Sequence, residues 1–247
     1  MAGNSDTKLV VDGKRLDGRA PEDLRPVRIE TGVLHEADGS SYIEWGGNKI
    51  LCGVYGPREC IPRFEASPYR ALVKCRYMMS PFASLEEHSR AGPSRRSNEL
   101  SKVIREVFEN VVIAEKFPNT QIDIYIDVLQ AEGGTRTASI TAAAVALANA
   151  GIPMKDMVSA VSAGKADEVL LLDLGKTEDN LGQSDMPIAF SRRKKDILLL
   201  QMDGLLTRDE ISRMIDVTLK GEAELAKLQD ETLFKFYSAP KHEEFRM

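Results

Sequence analysis

The sequence predicts an α+β protein folded as one compact unit. Segments whose apolar residues alternate with period two recur through both halves of the chain. Each group of them is followed by a stretch with helical spacing and one apolar face. No Gly/Ser-rich linker divides the 247 residues, a length that suits one large domain or two small ones with ample core.

Taken in order, residues 1–24 are polar and charged and read as a loosely held arm, with the folded unit placed at 16–237. A strand over 27–34 opens the sheet. Ala37-Asp38-Gly39-Ser40 is a hairpin turn signal, and Ser41-Tyr42-Ile43-Glu44-Trp45 follows as a strand. Gly46-Gly47-Asn48 is another turn before a strand over 49–55, and Gly56-Pro57 breaks the pattern. Residues 61–68 read as a loop, 71–79 as a strand, and 81–93 as an exposed loop.

Leu100, Val103, Ile104, Val107, Phe108, Val111 and Val112 give helical spacing over 97–116, which Phe117-Pro118-Asn119 stops. Ile122, Ile124, Ile126 and Val128 share one face of a strand over 121–129. The alanine-rich helix over 137–150 packs closely and belongs inside the molecule. In the second half, strands are expected over 158–165, 168–174, 186–191 and 196–202, with a basic loop Arg192-Arg193-Lys194-Lys195 before the last. Thr207-Arg208-Asp209-Glu210 is a capping box that opens a long helix over 208–234. Residues 238–247 read as a flexible tail.

The bulk numbers exclude several classes. No apolar run reaches the roughly 18–20 residues that span a bilayer, and no secretory signal is visible at the start. Cys52, Cys60 and Cys75 cannot all pair within one chain and form no CxxC, so neither a disulfide scaffold nor a structural zinc site is expected. An intracellular protein with reduced thiols follows. The net charge of −5 rules out a uniformly basic binder, yet Arg58, Arg63, Arg70, Lys74, Arg76, Arg90, Arg95 and Arg96 concentrate positive charge in one stretch. A local basic channel can still bind a nucleic-acid strand.

Three segments can carry chemistry. Glu132-Gly133-Gly134-Thr135-Arg136-Thr137-Ala138-Ser139 joins a strand to a helix, where free N–H groups and the helix dipole bind anions. Thr135 adds a hydroxyl and Arg136 a planar fork that matches phosphate oxygens. The plain structural reading is a tight turn. Ala91-Gly92-Pro93-Ser94-Arg95-Arg96-Ser97 puts two arginines at a helix start, against the dipole, a choice that an anion would explain. Glu178-Asp179-Asn180-Leu181-Gly182-Gln183-Ser184-Asp185 places two carboxylates six residues apart in a turn. Such a pair can bind a divalent metal or supply a general acid, or it can be an acidic surface loop. His35, His88 and His242 have no ligand spacing, and no GxSxG motif is present.

These segments, together with Leu16-Asp17-Gly18-Arg19 and Thr137-Ala138-Ser139-Ile140-Thr141, resemble the RNase PH family from about residue 16 to 233. Gly151-Ile152-Pro153-Met154, Asp185-Met186-Pro187-Ile188-Ala189 and Leu200-Gln201-Met202-Asp203-Gly204 look most like the catalytic RNase PH-like subunits of archaeal exosomes. The resemblance implies two related βαβ halves of the ribosomal protein S5 domain 2-like type. It implies a six-membered ring alternating with an inactive paralogue, with RNA-binding cap subunits on one face and no membrane partner. The implied activity is phosphorolysis of single-stranded RNA from the 3′ end in the cytoplasm, releasing nucleoside diphosphates, with tailing as the reverse.

By the same resemblance, Gly134, Thr135, Arg136 and Ser139 would hold inorganic phosphate, the co-substrate. Arg95 and Arg96 would grip the last RNA phosphates. Asp179 and Asp185 would supply the general acid and a Mg²⁺ ligand, with Asp179 favoured for the acid and Asp185 for the metal. Arg63 would line the neck through which RNA arrives. Tyr69 stands where related subunits often carry an acidic residue, and it can stack on a base or cover a strand. A homohexameric tRNA-trimming RNase PH shares this chemistry and differs in partners. A non-catalytic ring scaffold would lack the arginines or the paired aspartates.

Overall fold

The computed structural model describes residues 8–84 and 94–238. The first half contains β1 (Val10–Val11), β2 (Lys14–Arg15), β3 (Val27–Thr31), β4 (Gly39–Trp45), β5 (Asn48–Glu59), β6 (Leu72–Met79), α1 (Arg95–Val111), β7 (Thr120–Gln130) and α2 (Thr135–Asn149). The second contains β8 (Val158–Ala166), β9 (Val169–Leu172), α3 (Lys176–Leu181), β10 (Ser184–Ser191), β11 (Ile197–Leu200), β12 (Asp203–Gly204) and α4 (Arg208–Ser238).

Strands β3-β4-β5-β7-β6 form the first sheet and β11-β10-β8-β9 the second, with β12 also on β10. All the pairs are antiparallel except β6–β7, which run parallel because α1 connects them as a crossover. The expected α+β class with two sheet-and-helix halves is therefore observed.

The periodic segments behave as their patterns require. Ile122, Ile124, Ile126 and Val128 are all buried on one face of β7. Leu100, Ile104, Val107, Phe108 and Val111 form the buried face of α1. Helix α2 is buried from Thr137 to Leu147 and packs against β4 and β5 on one side and β8 on the other. Its alanines permit that double contact. Gly39 lets β4 approach so closely that a Cβ there would strike the backbone of Ala146 and Ala150.

Four expectations change. The arm is tied down from Leu9 onward: Leu9 is 2% exposed, its N–H donates to Asp167, and Arg15 is buried. Charge suggested solvent there, but Arg15 has a buried partner that composition does not reveal. Strand β5 continues through Gly56-Pro57 to Glu59, with its register against β7 shifting between Tyr55 and Arg58. A proline is tolerated at such an irregularity because the ladder there is already interrupted. The acidic run is a helix and a strand, not a turn: Asp179 lies in α3 and Asp185 in β10. Helix α4 extends to Ser238, past the expected end. The segment Ala91-Gly92-Pro93, most of the 81–93 loop, His88, His242 and the 239–247 tail lie outside the described residues. Among those described, no helix is long and apolar enough to cross a membrane.

The halves are joined by buried charge. Asp173, between β9 and α3, accepts from Arg25 N, Nε and Nη2 at 2.7, 3.0 and 2.6 Å and from Trp45 Nε1 at 2.9 Å. Arg15 donates from Nε to Glu178 Oε1 at 2.7 Å and pairs through Nη2 with Oε2 of the same carboxylate. Asp173→Ala would leave Arg25 charged and buried without its partner, at a cost of about 3–5 kcal/mol. Chemical denaturation measures this, and a loss under about 1 kcal/mol would show that the cluster does not join the halves.

Candidate active site at the junction of the halves

Strand β7 ends at Gln130, and the chain enters α2 through Gly133 and Gly134, both left-handed at φ 76° and 69°. Glycine is required twice over at Gly133, since a Cβ there would lie 2.7 Å from Lys176 N at the start of α3. Gly134 caps α2 without a side-chain acceptor. The first-turn N–H groups of α2 therefore have neither intrahelical partners nor a cap. Thr135 Oγ1 accepts from Tyr77 OH at 3.0 Å, which leaves the threonine hydrogen to donate elsewhere.

Helix α1 begins with Arg95 and Arg96 after a capping box made by Ser94 and Ser97. Its first turn carries no acidic residue, so two guanidinium groups add to the positive end of the dipole. The helix starts two residues earlier than its apolar spacing indicates, because Ser94 caps it.

A cavity of about 650 Å³ brings these elements together. Arg95, Arg96, Arg136, Asp179 and Asp185 line it, with Asp203 and Gln201. A smaller adjoining cavity shares Arg96 and Asp179 and adds Gly133, Gly134, Thr135 and Lys176. Arg136 Nε is buried with no hydrogen-bond partner, as is Gln201 Oε1. An orphaned guanidinium donor beside a cavity is the state expected of a group kept for an anion.

The two carboxylates are held in unequal environments. Asp185 is pushed up to about 7, first by burial and then by the charges of Asp179 and Asp203, against the pull of Arg136. Asp179 is open to the cavity, yet protein crowds it enough that desolvation raises its pKa despite Arg96, Arg136 and Arg25. Two acids this close disfavour double ionisation, so the pair retains a proton near neutral pH. No group of three His, Cys, Asp or Glu placed to hold a metal occurs among the described residues. The pair does suit Mg²⁺ of the kind held by one or two carboxylates and completed by substrate phosphates and water.

Other expected residues lie elsewhere. Ser139 is fully buried one turn into α2, its hydroxyl has no partner, and it lines neither cavity. Arg63 is exposed in a short 3₁₀ turn and pairs with Glu59, and Tyr69 is 82% exposed. Both precede the amino end of β6, whereas the cavity lies beyond the carboxyl ends of β6 and β7. Seven residue steps separate Leu72 from Met79 in that ladder, roughly 23 Å of strand. Arg58 and Arg63 thus lie at the opposite end of the sheet from Arg95 and Arg96, with Lys74 and Arg76 on β6 between them.

Sequence reasoning missed the residues that hold this site. Arg25 donates from Nη1 to Glu132 O at 2.7 Å and from Nη2 to Gly133 O at 3.3 Å. Asn48 donates from Nδ2 to Gly133 O at 2.6 Å and accepts from Glu132 N at 2.6 Å. None of these sits in a periodic pattern that would mark it. Asp203 lies in the quoted Leu200-Gln201-Met202-Asp203-Gly204 segment, but nothing there assigned it a place in the cavity.

Residues 23–153 match the model of the 3′ exoribonuclease family, domain 1, and residues 156–221 that of domain 2. The chain is 52% identical over 238 residues to an exosome complex component Rrp41 from Thermococcus onnurineus, covering 96% of this chain and 95% of that protein. It is 51% identical over 233 residues to the Archaeoglobus fulgidus Rrp41, covering 93% and 90%. Among solved structures, rice Rrp46 superposes with a TM-score of 0.80 at 23% identity, covering 89% of this chain and all of that one. A chain of the Archaeoglobus fulgidus exosome with RNA bound to the active site gives 0.76 at 24%, covering 87% and 92%. The structural likeness, at such identity, speaks to the fold, and the sequence matches span both halves: the chain belongs to the RNase PH family of 3′ exoribonucleases.

Proposed function

We propose that this chain is the catalytic ring subunit of an archaeal exosome, shortening RNA from its 3′ end by phosphorolysis in the cytoplasm. The observation that carries the reading is the cavity in which Arg95, Arg96 and Arg136 meet the proton-retaining pair Asp179 and Asp185. A scaffold has no use for two crowded carboxylates held above their ordinary range, since that arrangement costs stability. Functional sites are where such conflicts concentrate.

In this reading inorganic phosphate seats at the start of α2, on Gly134, Thr135 and the Arg136 fork. Ser139 lies a turn deeper and supports the helix without touching the anion. Arg95 and Arg96 grip the last RNA phosphates and stabilise the charge on the transferring phosphoryl group. A phosphate oxygen attacks the terminal phosphorus in line, and the bond from that phosphorus to the 3′ oxygen breaks. The proton shared by the Asp179–Asp185 pair passes through Asp179 to the departing 3′ oxygen, and a nucleoside diphosphate leaves. Positioning supplies most of the rate. Mg²⁺ held by Asp185 and phosphate oxygens would neutralise charge on the phosphates. Run in reverse, the same groups add nucleotides from nucleoside diphosphates.

The similarity to Rrp41 proteins supports a ring in which an inactive paralogue alternates with this chain, with RNA-binding cap subunits on one face. Arg63 and Tyr69, at the far end of the first sheet, would then meet RNA before the cavity does.

A 5′-labelled oligo(A) incubated with the chain and its ring partner should shorten only with inorganic phosphate and release ADP. Shortening by the chain alone would identify a homomeric RNase PH, and no phosphate-dependent cleavage in either sample would leave a scaffold. Asp179→Asn should slow phosphorolysis by about 10²–10⁴-fold with the ring intact; full activity would remove Asp179 from the chemistry.

The carboxylate pair also makes a pH prediction. The raised pKa of Asp185 means that the folded state keeps a proton the unfolded chain has released. Stability is therefore lost as pH rises from about 4 to about 7. Asp185→Asn should remove that loss and raise the melting temperature at pH 8 relative to the parent. A lower melting temperature at pH 8 would show that the charged pair stabilises the fold.

A further inference from the structure

Asn48 stands at the start of β5, fully buried, in a region where the sequence shows only a turn. Its side-chain amide makes two hydrogen bonds of 2.6 Å with one short stretch of backbone, donating to Gly133 O and accepting from Glu132 N. Arg25, itself held by Asp173, takes the neighbouring carbonyl of Glu132 and reaches Gly133 O as well. Both carbonyls that precede the Gly134 cap are thus held from the same side.

Peptide planarity turns this into a directional device. The peptide group that contains Gly133 C=O also contains Gly134 N–H, and in a trans peptide the two point in opposite directions. Holding the carbonyl toward Asn48 and Arg25 aims the Gly134 N–H away from them. Accepting bonds at the carbonyl also polarises that N–H and strengthens it as a donor. Gly133 and Gly134 line the smaller cavity, and Gly133 is packed against the backbone of Gly175 and Lys176. A loop fixed on one side by Asn48 and on the other by the start of α3 cannot rotate its peptide without a clash.

We infer that Asn48 is a positioning residue for the phosphate co-substrate: it orients the Gly134 N–H and the first turn of α2 without touching phosphate or RNA. The inference rests on the phosphorolytic reading above and deepens it by separating the determinants of phosphate from those of RNA. Among the described residues no hydrogen bond or ion pair joins Asn48 to Arg95 or Arg96 on α1; Asn48 bonds to Glu132 and Gly133 alone through its side chain, although Arg96 lines the same small cavity as that loop.

The test uses the assembled ring with the chain carrying Asn48→Asp, which keeps the shape but replaces the donor facing Gly133 O with an acceptor. KM for inorganic phosphate should rise about 10–100-fold, the size that outer-shell partners carry at metal sites. The affinity for oligo(A) should stay within twofold. KM does not depend on how much of a sample is folded, so partial unfolding leaves the readout intact. Asn48→Ala, which introduces no buried charge, is the second variant and should raise KM in the same direction. An unchanged phosphate KM, or equal losses of phosphate and RNA affinity, would overturn the inference and reduce Asn48 to a structural clamp. Calorimetric binding of inorganic phosphate to parent and variant gives a separate readout. If the parent binds phosphate and the variant does not, while neither cleaves RNA, the positioning role stands and the phosphorolytic reading falls.

Discussion

Two arginines buried against two carboxylates determine where the start of α2 and the helix that carries Asp179 can sit. Arg25 meets Asp173, and Arg15 meets Glu178, across more than a hundred residues of sequence. Removing such charges from water is costly, and their mutual attraction only roughly offsets it, so stability alone does not explain them. Their value is directional. Apolar packing is non-directional and tolerates small shifts, whereas a guanidinium fork fixes distance and angle together. Arg15 also donates to the carbonyls of Leu172 and Asp173, at 2.5 and 2.8 Å, so the segment entering α3 is fixed at several points. Through Arg25 the same cluster reaches the Glu132–Gly133 loop. The start of α2 and the helix that carries Asp179 are therefore set relative to each other by charge, although they belong to different halves.

This organisation decides what the sequence could and could not reveal. Strand β7 and helix α1 were legible because their apolar residues follow a fixed period, and α2 because its run of alanines marks a helix packed closely all round. One chain displays such signals without reference to any other part. The Gly133-Gly134-Thr135-Arg136 turn was legible because glycine, hydroxyl and guanidinium there are all costly or unusual choices with a common explanation. Asn48, Arg15 and Arg25 were not legible, because each acts through a partner about 85 to 160 residues away and leaves no local trace. The acidic run was misread for a related reason. Asp179 and Asp185 are six residues apart, but Gly182, whose own Cβ would collide with Glu178 O, ends α3 and lets the chain turn directly into β10. One acid then arrives from a helix and the other from a strand, which spacing alone does not distinguish from a turn.

Local choices that oppose stability gather at one place. Two arginines occupy a helix start that favours acids. Two carboxylates share a partly enclosed space in which desolvation raises both and the charge of Asp179 raises Asp185 further. Donors and acceptors such as Arg136 Nε and Gln201 Oε1 are buried without partners. Each feature is unfavourable by itself, and an anion with its proton or cation would offset them together. The groups that hold the loop behind the cavity are hydrogen-bonded, whereas Arg136 Nε and Gln201 Oε1, on residues that line it, are not. That contrast separates the support from the site more clearly than any single residue does.

The parallel pairing of β6 and β7 gives the arrangement its polarity. A crossover forces both strands to end on the same side, and ligands in such sheets gather beyond the carboxyl ends, where backbone and helix starts converge. Here that end carries Arg95, Arg96 and the start of α2. The opposite end carries Arg58, Arg63 and Arg70, even though these lie closer to Arg95 in sequence than Asp185 does. A chain with a net charge of −5 thus presents positive charge at both ends of β6, with Lys74 and Arg76 on the strand between. A small anion needs only the cavity. Under the proposed function, a polymer with a charge on every unit is the ligand that gains from both ends, because it could be drawn in at one end of the sheet while its terminus reaches the other.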